Sequence, residues 1–332
     1  MKLSICIPTY NRADLLRECL ASVIPQVLNY PEVEVIVSDN ASPDHTKEVV
    51  EEFRGQYPKL RAYRNSRNLG YTGNQVKCFE YASGDYLAIL CDDDLYRPGL
   101  ADRLLAVLED GEYAFVALNY FSFQSDVNSP FQENFAPTKD VRFNRAFDVL
   151  NYPSVGHYSG FIFNTSLGQV ALEQALSKRG WDYFEKNRGI ITEVAARATA
   201  ASLLPSFFIG SRLLATRMPV SVDYDTINHL CLDYYEFYRN LFDEGVITSD
   251  DLLYRQRLVL ALLPRAIVVD SYRMTSLELA EITHRLAEFF SAVPRFRYLC
   301  RPLLLLAKSA VIKQVFRAAH ALKRRVKYGS AA

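Results

Sequence analysis

Three stretches of the chain are apolar with almost no alternation. Leu3 to Ile7 is closed by Pro8-Thr9-Tyr10-Asn11-Arg12, and Val33 to Val37 by Ser38-Asp39-Asn40. Tyr86 to Leu90 passes through Cys91 directly into Asp92-Asp93-Asp94. Such runs predict strands buried on both faces, as a parallel sheet covered by helices requires. Between them the period changes. Leu15, Leu16, Cys19, Leu20 and Val23 recur at helical spacing and predict a helix stopped at Pro25. Asp44 can cap a second helix running through Phe53. Leu60 to Arg64 reads as a weaker, peripheral strand. Asn65 to Asn74 reads as a turn-rich loop opening a helix from Gln75 to about Ala82. A helix from Gly99 to Asp110 and a strand from Tyr113 to Tyr120 follow.

Strand and helix thus alternate with short connections, the pattern of an α/β, doubly wound, mostly parallel sheet with right-handed crossovers. Its strand exits would gather polar residues on one edge, where open α/β sheets bind ligands. That edge would carry Thr9 to Arg12, Asp39 and Asn40, Asn68 to Asn74 and the three acids. Adjacent carboxylates repel unless something cationic neutralises them. A hard divalent ion, Mg²⁺ or Mn²⁺, which prefers carboxylate oxygens and completes its shell with substrate phosphates, is the simplest candidate. The alternative is a solvated acidic turn with Asp94 capping the next helix.

From about Arg212 the pattern becomes helical: Leu230, Tyr234, Phe237, Tyr238 and Leu241 share a face, and Leu252 to Val269 and Leu277 to Phe290 repeat it. The expected organisation is an α/β domain over residues 1–210, a helical subdomain over 211–294 and a basic segment over 295–332.

Charge sharpens this division. The 38 basic and 38 acidic residues balance, but ten of the basic ones lie between Arg295 and Lys327 with no acid among them, leaving an acidic body and a basic tail. On a helical wheel Leu304, Val311, Val315, Leu322 and Val326 fall on one side, with Lys313, Arg317, Lys323, Arg324 and Lys327 on the other and Lys308 and Arg325 as exceptions. This is the design of a helix lying in an anionic membrane interface; the interleaved aliphatics argue against nucleic acid. No stretch has the length of a membrane span and no N-terminal segment reads as a signal peptide. The six cysteines form neither a Cys-x-x-Cys pair nor a Cys/His cluster, which argues against zinc and a disulfide framework and for a reducing compartment.

Motif searching removes several chemistries. The first strand exit has no Gly-x-Gly-x-x-Gly, and the chain has no P-loop, no Gly-x-Ser-x-Gly and no His-Glu-x-x-His. What remains resembles glycosyltransferase family 2, of the GT-A fold. The resemblance rests on Ser4-Ile5-Cys6-Ile7-Pro8-Thr9-Tyr10-Asn11-Arg12, Val35 to Ser42, Asn68-Leu69-Gly70, and Ser83-Gly84-Asp85-Tyr86 leading to Asp92-Asp93-Asp94, in the family's order over roughly the first 120 residues. The pattern is similar to the abequosyltransferase-like branch, which acts on lipid-linked O-antigen units.

The resemblance implies an inverting, metal-dependent transferase at the cytoplasmic face of the inner membrane. It would move a sugar from a nucleoside-diphosphate donor to a lipid-linked saccharide. Pro8, Thr9, Tyr10, Arg12, Asp39 and Asn40 would then meet base and ribose, and Asn68, Gly70 and Asn74 would line the nucleotide pocket. Asp93 would sit beside them, Asp94 would take the metal, and Asp92 the ribose or the metal shell. For Arg12 and Asp39 the alternative is an ion pair with each other.

The family's base is a Glu-Asp pair following a strand that Ser159 to Asn164 resembles. No such pair follows here, so Glu193 takes the place, with Asp182 next and Glu185 third. His157 and Trp181 would face the acceptor or belong to the core. A sugar nucleotidyltransferase and an inactive scaffold are the other readings, and a homo-oligomer is open.

Overall fold

The computed structural model describes residues 2–130, 132–133, 137–153, 155–187, 189–218 and 227–318. The chain divides into two compact units, Met1–Val220 and Ser221–Ala332.

The first unit is built on one mixed sheet. Strands β1 (Leu3–Thr9), β2 (Val33–Asp39), β3 (Arg61–Arg64) and β4 (Tyr86–Ile89) are parallel. Helices α1 (Ala13–Val27), α2 (Thr46–Gln56) and α3 (Gly70–Tyr81) connect them. β1, β2 and β4 are buried almost throughout, which is why they read as unbroken apolar runs.

Further on come β5 (Leu95–Tyr96), α4 (Leu100–Asp110), β6 (Phe115–Phe123), the short β7 (Gln132–Glu133) and β8 (Val141–Phe143), and β9 (Phe161–Asn164). After α5 (Thr165–Arg179), α6 (Trp181–Asn187) and α7 (Ile190–Ala200), the long β10 (Ser206–Arg217) completes the unit. The order across the sheet is β3-β2-β1-β4-β9-β6-β10-β5. β9 runs antiparallel to both β4 and β6, whereas β10 is parallel to β6. The exits of β1, β2, β4, β6 and β10 therefore share one edge, and β9 enters from that edge.

Several expected boundaries move. α1 continues two residues past Pro25, although Pro25 has no N–H to donate to the carbonyl of Ala21. α3 starts at Gly70 rather than Gln75, because Gly70, at φ +74°, supplies the left-handed residue that turns the loop into the helix. The segment read as helical from Arg212 is the second half of β10, so a domain boundary at 210/211 would cut a strand. Leu213, Leu214 and Ala215 are consecutive apolar residues whose period cannot distinguish the two structures; pairing with β5 and β6 decides for the strand.

The second unit is helical. It contains α8 (Tyr234–Asp243), α9 (Ser249–Asp270), α10 (Ser276–Phe290) and α11 (Arg301–Leu306). Thr248 and Thr275 each close a capping box, with Asp251 and Glu278 respectively. Tyr235, Val259, Leu263, Ile282, Leu286 and Phe290 lie in its core.

Candidate active site

At the exit of β1, Asn11 takes φ 55°, and at the exit of β2, Ala41 takes φ 64°, both in the left-handed region. Strain of about 1–3 kcal/mol at such positions persists only where surrounding bonds over-determine the turn, and here they do. Asp39 Oδ1 accepts from Ser42 N at 2.9 Å, while Ser42 Oγ accepts from Asn11 N at 2.9 Å, tying the two exits together. Asp44 accepts from Ala13 N at 3.0 Å and from Thr46 N and Oγ1 at 3.2 and 2.6 Å, so one carboxylate serves the starts of α1 and α2. Burial opposes ionisation there, but these bonds hold the carboxyl below its usual range.

The asparagines form an amide network rather than a pocket lining. Asn40 donates to Asn68 Oδ1 (2.8 Å) and Gly70 O (3.0 Å), and accepts from Leu69 N (2.8 Å) and Asn65 Nδ2 (3.0 Å). Asn74 donates to Ser38 O and Thr9 O and accepts from Ser38 Oγ and Asn65 Nδ2. Both are buried, and both spend their amide groups on the fold. They shape the loop over 65–70 against the exits of β1 and β2; the expectation that Asn40 and Asn74 meet the nucleotide directly does not match this geometry.

The acids sit in a tight turn between β4 and β5, closed by Asp94 N donating to Cys91 O at 3.1 Å. Each faces differently. Asp92 accepts from Thr9 Oγ1 (2.7 Å) and Arg12 Nη1 (2.8 Å). Asp93 lies 3.1 Å from Arg12 Nη2. Asp94 accepts from Ser159 Oγ (2.5 Å) and Arg217 N (2.8 Å), with His157 Nδ1 at 3.5 Å. Arg12 is therefore paired with the acids and not with Asp39, whose partner is Arg64. Burial raises Asp92 to about 6 against the pull of Arg12 and Thr9, and raises Asp94 to about 6 against His157, Ser159 and Arg217. Two buried carboxylates so far above their ordinary range mark a place short of positive charge.

The donor set fits a hard divalent cation. Ligand atoms of Cys91, Asp93 and Asp94 lie within 4.8 Å of one another. Burial pushes the Cys91 thiol well up, keeping it protonated, so the usable donors are the two carboxylates. Asp92, expected to share the ion with Asp94, accepts from Thr9 and Arg12 and lies outside this group, in which Asp93 is the carboxylate beside Asp94.

Around this cluster lie exposed or half-exposed groups. Tyr10 and Tyr71 are open to solvent, as are the outer parts of Arg12 and of Trp181, whose ring lies 3.5 Å from the position a side chain on Gly73 of α3 would take. Trp181 donates to Glu185 (3.1 Å), and Thr72 of α3 donates to Phe184 O (3.0 Å), fastening α6 to the start of α3. Asp182 is exposed on α6. Glu193 is fully buried in α7, accepting from Arg197 Nε (2.9 Å) and Nη2 (2.6 Å), with Arg179 Nε at 3.4 Å. A carboxylate locked between two guanidinium groups without solvent access is a packed ion pair, not a group placed to take a proton from an arriving acceptor. His157, expected to face the acceptor, packs on Tyr120 and turns Nδ1 toward Asp94.

The sequence reading missed Ser159, Arg217, Arg64 and Tyr71. Ser159 also accepts from Cys91 N at 2.9 Å, and Arg217 donates from Nε to Asp93 O at 3.3 Å while covering the Phe123 ring. Both reach the acids through sheet pairing across long sequence separations.

Residues 4–165 match the family model Glycosyl transferase family 2. This region belongs to that family. A stretch of 110 residues is 41% identical to abequosyltransferase RfbV of Salmonella typhimurium, covering 33% of this chain and 32% of that one. Another of 116 residues is 34% identical to the GalNAc(5)-diNAcBac-PP-undecaprenol beta-1,3-glucosyltransferase of Campylobacter jejuni, covering 35% and 37%. The matches thus span about a third of these relatives' lengths. Among solved structures, S. aureus TarS 1–349 in complex with UDP-GlcNAc superposes with a TM-score of 0.63 at 18% identity, covering 99% of this chain and 93% of that one. The likeness is one of fold, and the fold is GT-A.

Proposed function

We propose that this protein is a metal-dependent, inverting glycosyltransferase that moves a sugar from a nucleoside-diphosphate donor to a lipid-linked saccharide acceptor in cell-surface polysaccharide synthesis. The observation carrying this reading is the acidic turn at the strand exits of a family 2 sheet, where the half-buried Asp93 lies beside Asp94, a buried carboxylate raised to about 6. Asp93 and Asp94 would hold Mn²⁺ or Mg²⁺, which when bound supplies positive charge against the departing diphosphate.

The chain's own residues do the rest. Arg12 holds Asp92 and Asp93 in place and offers its exposed side to the donor. Ser159 and the Arg217 backbone fix the Asp94 carboxylate, limiting reorganisation when the donor arrives. Tyr10, beside the left-handed Asn11, offers an exposed ring on which a base can stack. For the proton leaving the acceptor hydroxyl, Asp182 is the candidate: it is solvent-exposed on the helix whose Trp181 packs against the start of α3. Glu193 is replaced in that role. The lipid-linked acceptor is supported by the Campylobacter jejuni relative, whose name specifies a PP-undecaprenol-linked saccharide.

The test is thermal unfolding with a panel of nucleoside diphosphates, with and without Mn²⁺. A cognate nucleotide at about 100 times its Kd should add about 2.7 kcal/mol of stability. The gain should require the metal and disappear in the Asp93→Asn/Asp94→Asn variant. Metal-independent stabilisation of equal size in that variant rejects the metal site; no stabilisation by any nucleotide rejects the donor class.

A further inference from the structure

The basic end of the chain is not absorbed by this function. Within the helical unit, Phe296, Cys300 and Leu304 point into the core, together with Ala307. Successive positions on the opposite side of the same helical run stay in water. Tyr298 is 74% exposed, Leu299 43%, Leu305 54% and Leu306 52%; on the following helical stretch over 310–318, Val311 is 69% exposed and Val315 56%. An isolated exposed leucine needs no explanation, but six large apolar residues exposed within eighteen positions exceed scattered exposure, and Tyr298, Leu299, Leu305 and Leu306 share the side opposite the core-facing positions.

The expected wheel is corrected in two places. Leu304 is core, which rotates the exposed apolar face onto Leu305 and Leu306. Lys313 donates to Met274 O and so is tied inward. Leu322, Val326, Lys323, Arg324 and Lys327 lie outside the described residues.

Cations frame this patch. Arg295, Arg297, Arg301, Lys308 and Arg317 are exposed, and no acid occurs from Arg295 onward. We propose that this face of the helical unit docks on an anionic lipid bilayer, the apolar side chains entering the headgroup boundary and the guanidinium and ammonium groups meeting lipid phosphates. Apolar burial and attraction to negative headgroups cooperate in such a surface. A second copy of the chain is the weaker occupant, since a self-complementary contact would set these cations against one another. The inference stands independently of the transferase reading, because docking needs no donor.

Flotation of the full chain with vesicles tests it. Phosphatidylcholine vesicles are compared with vesicles doped with phosphatidylglycerol, for the native protein, a Leu305→Glu/Leu306→Glu variant and an Arg297→Gln/Arg301→Gln variant. Circular dichroism checks folding; all four side chains are exposed, so the fold should hold. The native protein should float with the anionic vesicles and release at high salt. The arginine variant should partition about 30-fold more weakly, at the usual contribution of each basic residue near such a surface. The leucine variant should lose flotation. Equal flotation of either variant, or equal flotation on neutral vesicles, overturns the proposal. So does a concentration-dependent dimer abolished by the leucine variant in the absence of vesicle binding.

Discussion

Asp182 and Glu193 are both carboxylates near the start of a helix, and their sequences offer little to separate them. Their surroundings do. Glu193 sits between Arg197 and Arg179 with no exposure, so Glu193→Gln removes the buried negative charge that both guanidinium groups face. Loss of about 3–5 kcal/mol of stability is the expected outcome, read by denaturant titration. Asp182→Asn should leave stability and nucleotide binding unchanged while lowering kcat by about 100-fold or more. A Glu193→Gln protein of native stability that binds nucleotide and transfers nothing would restore Glu193 as the base. The acidic triplet teaches the same lesson at closer range. Three identical side chains in a row acquire three environments because the turn aims them at Thr9 of β1, at the outer side of Arg12, and at Ser159 and the end of β10 in succession.

Strands and helices carry their own tests. Glycine at position 84 reflects the close approach of the β4 entrance to β1: an added Cβ would lie 2.7 Å from Lys2 O and 2.8 Å from Ser4 N. Neither backbone atom can yield without moving β1. Gly84→Ala should therefore cost about 1–3 kcal/mol. Gly55→Ala in α2, with nothing within 4 Å, should be neutral or stabilising by up to about 1 kcal/mol. Thermal denaturation of the two variants side by side measures the contrast.

At the same end of the sheet, Glu34 on β2 accepts from Ser4 Oγ (2.5 Å), Ser83 N (2.9 Å), Ser83 Oγ (2.8 Å) and Arg61 Nη1 (2.6 Å). Burial would raise its carboxyl, but these bonds overcome it and hold the carboxyl at about 2, against an ordinary 4.5. A depressed acid stabilises the native state above its unfolded value, by on the order of 3 kcal/mol here, and that stabilisation drains away as pH falls from 4.5 toward 2. The stability gap between native protein and Glu34→Gln, measured by urea unfolding at stepped pH, should be widest near neutrality and narrow below pH 4.5. A gap independent of pH would mean the network acts through packing alone.

Across the molecule, the strands from β1 to β4 and their helices were legible because each is a local period: unbroken apolar runs for buried strands, helical spacing for α1 and α2, polar clusters at the exits. The same periodicity failed for β10, whose apolar residues look alike in either conformation. It also overlooked β5, two residues long and meaningful only as a partner of β10. By itself the sequence determined that a sheet edge would carry Thr9, Arg12, Asp39 and the acids, and that one end of the chain would be basic and amphipathic. Those properties depend on residue types at short range. Only the tertiary structure decided which carboxylates face each other, that Arg12 serves the acids while Arg64 serves Asp39, that Ser159 and Arg217 hold Asp94, and that Glu193 is sealed in a buried ion pair. Apart from the i,i+4 pair of Glu193 with Arg197, whose burial alone is tertiary, those partners are brought together by register across the sheet and by packing over separations of up to more than a hundred residues, where no local pattern carries a signal.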